Sequence, residues 1–442
     1  MKLNRRDALF GALFGGTMVG LRAIASGLPV KMLLDPRKAL ADVPQGCQAS
    51  ANAQYVILST SGAGDPLNAN APGTYDDSGI SHPQDPAMAK TPITLGSTST
   101  TAAAPWTTLG PSGANVLGRT SVFHLATTTP VHPKEPQVLS LMGSTIAGEM
   151  FPSVLAAALA PCLGTLQTQP ISVGAATPSE SLSFQGQALP TVPPAALAAT
   201  LLNPAGELTN LQKLRDSTLN DLYTNVYKSG ASPAQRQFVD SLVTSQDQVR
   251  KINPQYLSAL ASIQDNSEAS QILAAVALIQ MKITPVVAVH FAFGGDNHND
   301  TALANETAQT QSGMASIVSL MQALAAAGLA DQVSFATLNV FGRTMNASHT
   351  DGRDHNKNHH VSIAIGKGFR GSLVGGVQQV DGDYGAMPID SSSGAGAASG
   401  DIQPVDSLAS FARTVMVGVG VNEDLVTKQI TTGTIIRGAL AS

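Results

Sequence analysis

Charge is scarce in this 442-residue sequence: Asp, Glu, Lys and Arg make up 12% of it, and acidic residues outnumber basic ones by 30 to 25. Nucleic-acid binders concentrate positive charge, so this balance argues against a phosphodiester backbone as partner. Long apolar runs are also missing. Arg22 interrupts the only candidate, so no segment approaches the roughly 20 uninterrupted apolar residues of a stable membrane span. Cysteine is limited to Cys47 and Cys162. In an oxidising periplasm they would pair and tie the start of the mature chain to its body. The alternative is two unpaired thiols, since the sequence gives no distance between them. What the chain does have is 43% hydrophobic residues, enough for a core, which makes it a globular chain rather than a disordered one.

The first residues carry an address. Arg5-Arg6-Asp7 precedes a mild, Gly-rich apolar stretch opening at Ala8-Leu9-Phe10, and Ala39-Leu40-Ala41 is a small-x-small cleavage site. This architecture predicts a twin-arginine signal over residues 1–41, the twin-arginine translocase as partner during export, and a bacterial periplasmic or secreted location. Seven bases (Lys2, Arg5, Arg6, Arg22, Lys31, Arg37, Lys38) and two acids (Asp7, Asp35) lie in that segment, so residues 42–442 carry a formal net charge of −10.

Along the mature chain, short continuous apolar runs alternate with helical patterns. Tyr55-Val56-Ile57-Leu58, Ser121 to Leu125, Val286 to Phe291, Val333 to Phe341 and Val361 to Ile365 predict buried strands. Met314, Ile317, Val318, Met321 and Leu324 mark one face of a helix that Gly328 can end. Val138 to Ala160 predicts a helix broken near Pro152, and Val405 to Val419 another. Residues 68–115 suggest an ordered surface excursion, 384–404 a mobile loop, and 205–281 a helical insertion with a polar outer face. Continuous apolar strands alternating with helices predict an α/β fold with a mostly parallel central sheet covered on both sides.

Histidines and acids gather just after the predicted strands. Gly295-Asp296-Asn297-His298 follows one, Phe341-Gly342-Arg343-Thr344 another, and Gly352-Arg353-Asp354-His355 with His359-His360 precedes a third. Loops beyond the carboxyl ends of parallel strands share one crevice, so Asp65, Asp296, His298, Asp354 and His355 are expected to converge. Carboxylate and neutral imidazole suit a divalent metal, whether zinc, manganese or calcium. A polar surface loop rich in Asn, Asp and His is the competing interpretation. His124 and His290, within or at the end of apolar strands, are expected to be structural.

The order of these segments resembles an uncharacterised, commonly twin-arginine-exported family related to sulfatases and alkaline phosphatases. The segments are Arg5-Arg6-Asp7, Gly64-Asp65-Pro66-Leu67-Asn68, Phe123 to His132, Leu141-Met142-Gly143, Gly295 to His298, Phe341 to Thr344, Gly352 to His355, and Gly366 to Gly376. That resemblance implies an alkaline-phosphatase-like α/β sheet with the helical insertion at about 205–281. It also implies a metal-dependent hydrolase of phosphate or sulfate esters, with surface polymers among the candidate substrates. It implies Asp65, Asp296, His298, Asp354, His355 and His359 as metal ligands, and Arg343 or Arg353 as the group holding the anionic ester. It implies Thr127 or Thr128 as nucleophile, at a helix start whose N–H groups favour an anion. The absence of any Cys-x-Pro-x-Arg stretch excludes a standard sulfatase. A non-catalytic periplasmic binding or assembly protein that keeps the fold is the alternative function.

Overall fold

The computed structural model describes residues 52–64, 67–165, 167–174, 181–202, 221, 260–291 and 295–441. The signal segment at 1–41, Cys47, Asp65 and most of the expected insertion lie outside the described residues.

Nine strands place the site. They are β1 (Tyr55–Ser61), β2 (Thr120–Leu125), β3 (Ile171–Ser172), β4 (Val286–Val289), β5 (Val333–Asn339), β6 (Gly342–Arg343), β7 (His355–Asn356), β8 (His360–Ile365) and β9 (Ser372–Val374). Seven of them form the central sheet in the order β9-β2-β8-β5-β1-β4-β3. Every pairing in it is parallel except those of β8, which runs against both β2 and β5. All residues of β1, β2, β4, β5 and β8 are buried. Strands buried on both faces explain why the sequence shows continuous apolar runs rather than alternation.

Period-two alternation then divides the core. Tyr55 and Ile57 join the cluster that includes Ile272, Leu278, Met314, Ile317 and Leu324, whereas Val56 and Leu58 join the one that includes Phe151, Leu155, Phe411 and Val415. The first face is covered by helices Glu268–Gln280 and Ala304–Ala326, the second by Phe151–Leu163 and Pro404–Gly418. The protein is therefore mixed α/β, with a mostly parallel sheet between helical layers.

Several local expectations need correction. Pro152 does not break a helix; it occupies the first turn of Phe151–Leu163, where its missing N–H costs no hydrogen bond. A separate short helix, Glu135–Leu139, precedes it. The segment 68–115 is not a surface excursion, because Ala71, Tyr75, Met88, Ile93, Leu95, Trp106 and Leu109 all enter the first core. The end of the 205–281 span is also core rather than insertion: Ile272, Ala275, Leu278 and Ile279 on helix Glu268–Gln280 are buried. Residues 384–404 are held by bridges from Ile389 to Gly396 and Ile402. Cys162 is disulfide-bonded, so it does not stand as an unpaired thiol. No helix among the described residues is long and apolar enough to cross a membrane.

The carboxyl ends of β1, β2, β4 and β5 lie on one edge, and the antiparallel β8 begins there, with His360 paired to Leu125. Five connecting segments therefore emerge together, which is the geometry that gathers a site in an open parallel sheet.

Candidate metal centre

Three of those segments contribute ligand-type side chains to one point. His132 comes from the turn after β2, Asp296 and His298 from the segment after β4, and His355 from β7. The Asp296 Oδ1 atom lies 3.1 Å from His298 Nε2, 3.8 Å from His132 Nε2 and 3.8 Å from His355 Nε2. His298 Nε2 is 3.0 Å from His355 Nε2. Ligand atoms of His132, Asp296 and His355 all fall within 4.8 Å of one another. Zinc–nitrogen and zinc–oxygen bonds of about 2.0–2.2 Å put tetrahedral ligand atoms about 3.3–3.5 Å apart, a spacing these distances bracket.

The second nitrogen of each ring is already committed. His132 Nδ1 donates to the Gly62 carbonyl at 2.5 Å, and His355 Nδ1 to the Pro130 carbonyl at 2.6 Å. His298 Nδ1 faces Asp354 Oδ1 at 3.0 Å. A carbonyl can only accept, so the protons of neutral His132 and His355 sit on Nδ1 and their Nε2 lone pairs are bare. Three Nε2 atoms thus turn toward one carboxylate, and those of His298 and His355 come within 3.0 Å of each other. With Nδ1 of neutral His298 donating to Asp354, its Nε2 is bare as well, and two bare lone pairs that close repel unless a metal ion or a proton lies between them. Outer partners that fix ring tautomers in this way are the usual surroundings of metal-binding histidines.

Charge follows the same logic. Burial opposes ionisation of Asp296, but positive charge around it, from His298 when protonated, from the Arg343 guanidinium, and from His132 and His355 when protonated, outweighs this and holds its carboxyl below the usual range. Burial lowers the His355 pKa, partly offset by its bond to Pro130, which favours the neutral form of the ring that can bind a cation. Phe341 forms an apolar floor, stacking on His355 at 4.3 Å and meeting His132 edge-on at 4.9 Å. The opposite side is open, since the Asp296 side chain is 62% exposed.

Arg343 is fully buried behind this cluster. Its Nη2 donates to the carbonyls of Ala63 (2.5 Å) and Gly295 (2.7 Å), while Nη1 lies 3.5 Å from Asp296 Oδ1. Nε makes no hydrogen bond, and Nη1 has only this long contact with Asp296. Gly64 makes room for it: at φ +98° a Cβ there would come 2.8 Å from Arg343 Nε, so a side chain would be both strained and obstructed.

The ligand set expected from the sequence is thereby redistributed. Asp296, His298 and His355 meet, and Asp354 stands one shell out as the partner of His298. His132 joins them although sequence reasoning assigned it no role; the only hint was a histidine following the Thr-rich turn after a buried strand. Asp65 lies outside the described residues. Arg353 is not an anion-binding group. It is buried and spent on Glu306, paired through Nε to Oε2 and through Nη2 to Oε1 at 2.9 Å, and on the carbonyls of Ser81 (2.8 Å) and Thr344 (2.7 Å). His359 is not a ligand here either. It is fully buried with His124, the rings joined at 2.8 Å. The threonines do not open a helix, because the helix begins at Glu135 after a turn at His132–Lys134. The helix-terminus argument for them therefore falls away. Thr127 is buried, its hydroxyl donating to Thr129 O at 3.3 Å. Thr128 is exposed and left-handed at φ 60°, an outlier for a β-branched residue.

The buried histidines make acid stability a direct test of this second cluster. Burial pushes the His124 pKa down to about 4 and that of His360 to about 3. Unfolding restores both to about 6.5, so between these values the unfolded chain binds more protons and stability rises with pH. The contribution is complete above pH 6.5 and is lost as pH falls toward the folded values. We expect urea stability to drop from pH 6.5 to 5, with each group adding a slope of up to about 1.4 kcal/mol per pH unit. A flat profile over that window would show that these rings are not held neutral.

Over residues 175–389 the chain is matched by the model of a family described as protein of unknown function (DUF1501). No curated protein matches it. The family match is not one to sulfatases or alkaline phosphatases, so the resemblance drawn from the order of the motifs is withdrawn. Acid- and histidine-bearing loops after successive strands are what any site at the edge of a parallel sheet produces. The matched span includes Asp296, His298, Arg343 and His355 but stops short of His132.

Proposed function

We propose that this chain is an exported, metal-dependent hydrolase of phosphate or sulfate esters. The supporting observation is the convergence of three imidazole Nε2 atoms and one carboxylate, each ring held by an acceptor on its other nitrogen. Three nitrogens and one oxygen suit zinc, whereas calcium seeks six to eight oxygens. A divalent ion there would neutralise an anionic substrate and lower the pKa of a nucleophilic hydroxyl. Arg343 is buried behind Asp296 and ion-paired to it, so it would hold a non-bridging oxygen of the ester only with Asp296 drawn away from it onto the ion. Thr128 is the better nucleophile of the two threonines, since its hydroxyl is exposed and its backbone strained, while the Thr127 hydroxyl is committed. Strain of this kind concentrates at functional positions. Attack by Thr128 Oγ would form a bond to phosphorus or sulfur and break the bond to the alcohol, which leaves with a proton; water then releases the inorganic anion. Export rests on Arg5-Arg6 and the Ala39-Leu40-Ala41 site.

The test is protein purified from the periplasmic fraction, analysed for zinc and assayed on aryl phosphate and aryl sulfate esters. We expect about one zinc per chain and turnover that Thr128→Ala reduces by about 100-fold or more without releasing zinc. Zinc without turnover across the panel favours the binding or assembly protein; neither zinc nor turnover removes the metal reading. Recovery from the cytoplasm alone removes export.

A further inference from the structure

Behind Arg343 runs a buried polar row that the chemistry above does not use. Asn68, His124 and His359 are each 0% exposed. Their proton placement is forced from one end. His124 Nε2 lies 2.9 Å from the Pro72 carbonyl, which only accepts, so the ring carries its proton there. Its bare Nδ1 then accepts from His359 Nε2 at 2.8 Å. That leaves His359 Nδ1 bare and facing the Asn68 amide nitrogen at 3.4 Å. The same nitrogen donates to the Arg343 carbonyl at 2.5 Å. With Nδ2 held toward two acceptors, the Asn68 amide has only one workable orientation. Burial keeps both rings neutral, as this pattern requires.

We propose that Asn68, oriented by His359 and His124, is a positioning residue that sets the backbone of Arg343 so that its guanidinium meets the anion beside Asp296. The inference rests on the reading of Arg343 as the anion-holding group. Arg343 sits on the two-residue strand β6, directly opposite His355 on β7. So short a strand has little ladder of its own to fix its height. The row supplies what the ladder lacks: a Cβ on Gly342 would come 1.8 Å from the His359 carbonyl, so β6 is seated directly on it. The far end of the side chain is fixed by Ala63 and Gly295, and a shift of the backbone would tilt the guanidinium between these anchors.

Nitrogen-15 spectra of metal-free protein should show the His124 and His359 protons on Nε2; a proton on His359 Nδ1 overturns the proposal. In Asn68→Leu, matched in size but without the donor, the Arg343 Nε signal should move. Zinc affinity should stay within about threefold, while inorganic phosphate affinity of the zinc-loaded protein should fall about tenfold, with KM rising more than kcat falls. A merely structural role would weaken zinc, phosphate and thermal stability together; that pattern, or an unmoved Arg343 signal, overturns the assignment. Should Asn68→Leu fail to fold, His359→Gln keeps the donor to His124 and removes the acceptor facing Asn68, and should reproduce the Arg343 shift. Wild type that holds no zinc strikes the functional reading alone, because the Arg343 signal is read without metal.

Discussion

Replacing Glu306 by alanine is expected to cost about 3–5 kcal/mol of stability, the cost of leaving a buried charge without its partner. Glu306 and Arg353 are both buried, their side chains at 0% exposure. Removing the carboxylate strands a guanidinium that cannot reach water, and its remaining carbonyl partners do not neutralise it. Glu306 Oε1 also accepts from Asn70 Nδ2 at 2.7 Å, and Asn70 Oδ1 accepts from Tyr75 at 3.2 Å. The loss therefore spreads into the segment after β1. Glu306→Gln, which keeps the shape and part of the hydrogen bonding, should cost less. Replacing both partners by Leu and Met should cost less than Glu306→Ala, because no charge is then stranded. Because Arg353 immediately precedes Asp354 and His355, zinc retention should weaken with the fold. Urea unfolding decides the matter: a loss under about 1 kcal/mol for Glu306→Ala would mean the pair is better solvated than its burial implies.

This pair also shows where the sequence stops being informative. The strands were legible because their burial on both faces leaves continuous apolar runs, as in Val286–Val289 and Val333–Asn339. Helix Ala304–Ala326 was legible from Met314, Ile317, Met321 and Leu324. Asp296, His298 and His355 were legible as a group because they follow or precede strands at one sheet edge. Arg353 was misassigned because an arginine in a polar loop reads as exposed, and only folding brings Glu306 against it across 47 positions. His359 was misassigned for a related reason: its neighbour His360 opens a strand buried throughout, so the pair belongs to the interior. His132 was missed because its ring is fixed by the carbonyl of Gly62, 70 residues away. Local pattern cannot register a contact of that range.

His132 therefore gives the sharpest discrimination, and His132→Ala should lower zinc affinity by more than about 100-fold, beyond the 10–100-fold typical of an outer partner. Asp354→Asn is that outer partner's test, since it keeps the side-chain size and weakens only the hold on His298 Nδ1; it should fall within the lower range. His298→Ala and His355→Ala should match His132→Ala, because all three rings face Asp296 through Nε2. The metal-free fold should lose under about 1 kcal/mol in His132→Ala. Its side chain is 34% exposed, and the covered part lies against Phe341 and His355 rather than in the core. Competition titrations with a chromogenic chelator, run beside urea unfolding of the metal-free proteins, separate the two effects. If His132→Ala binds zinc within about threefold of wild type while His298→Ala and His355→Ala lose it, the ion is held by Asp296, His298 and His355 alone. The turn after β2 would then contribute no ligand. If all four variants keep zinc, the ion lies elsewhere. The short His298–His355 approach would then have to be relieved by a proton shared between the rings.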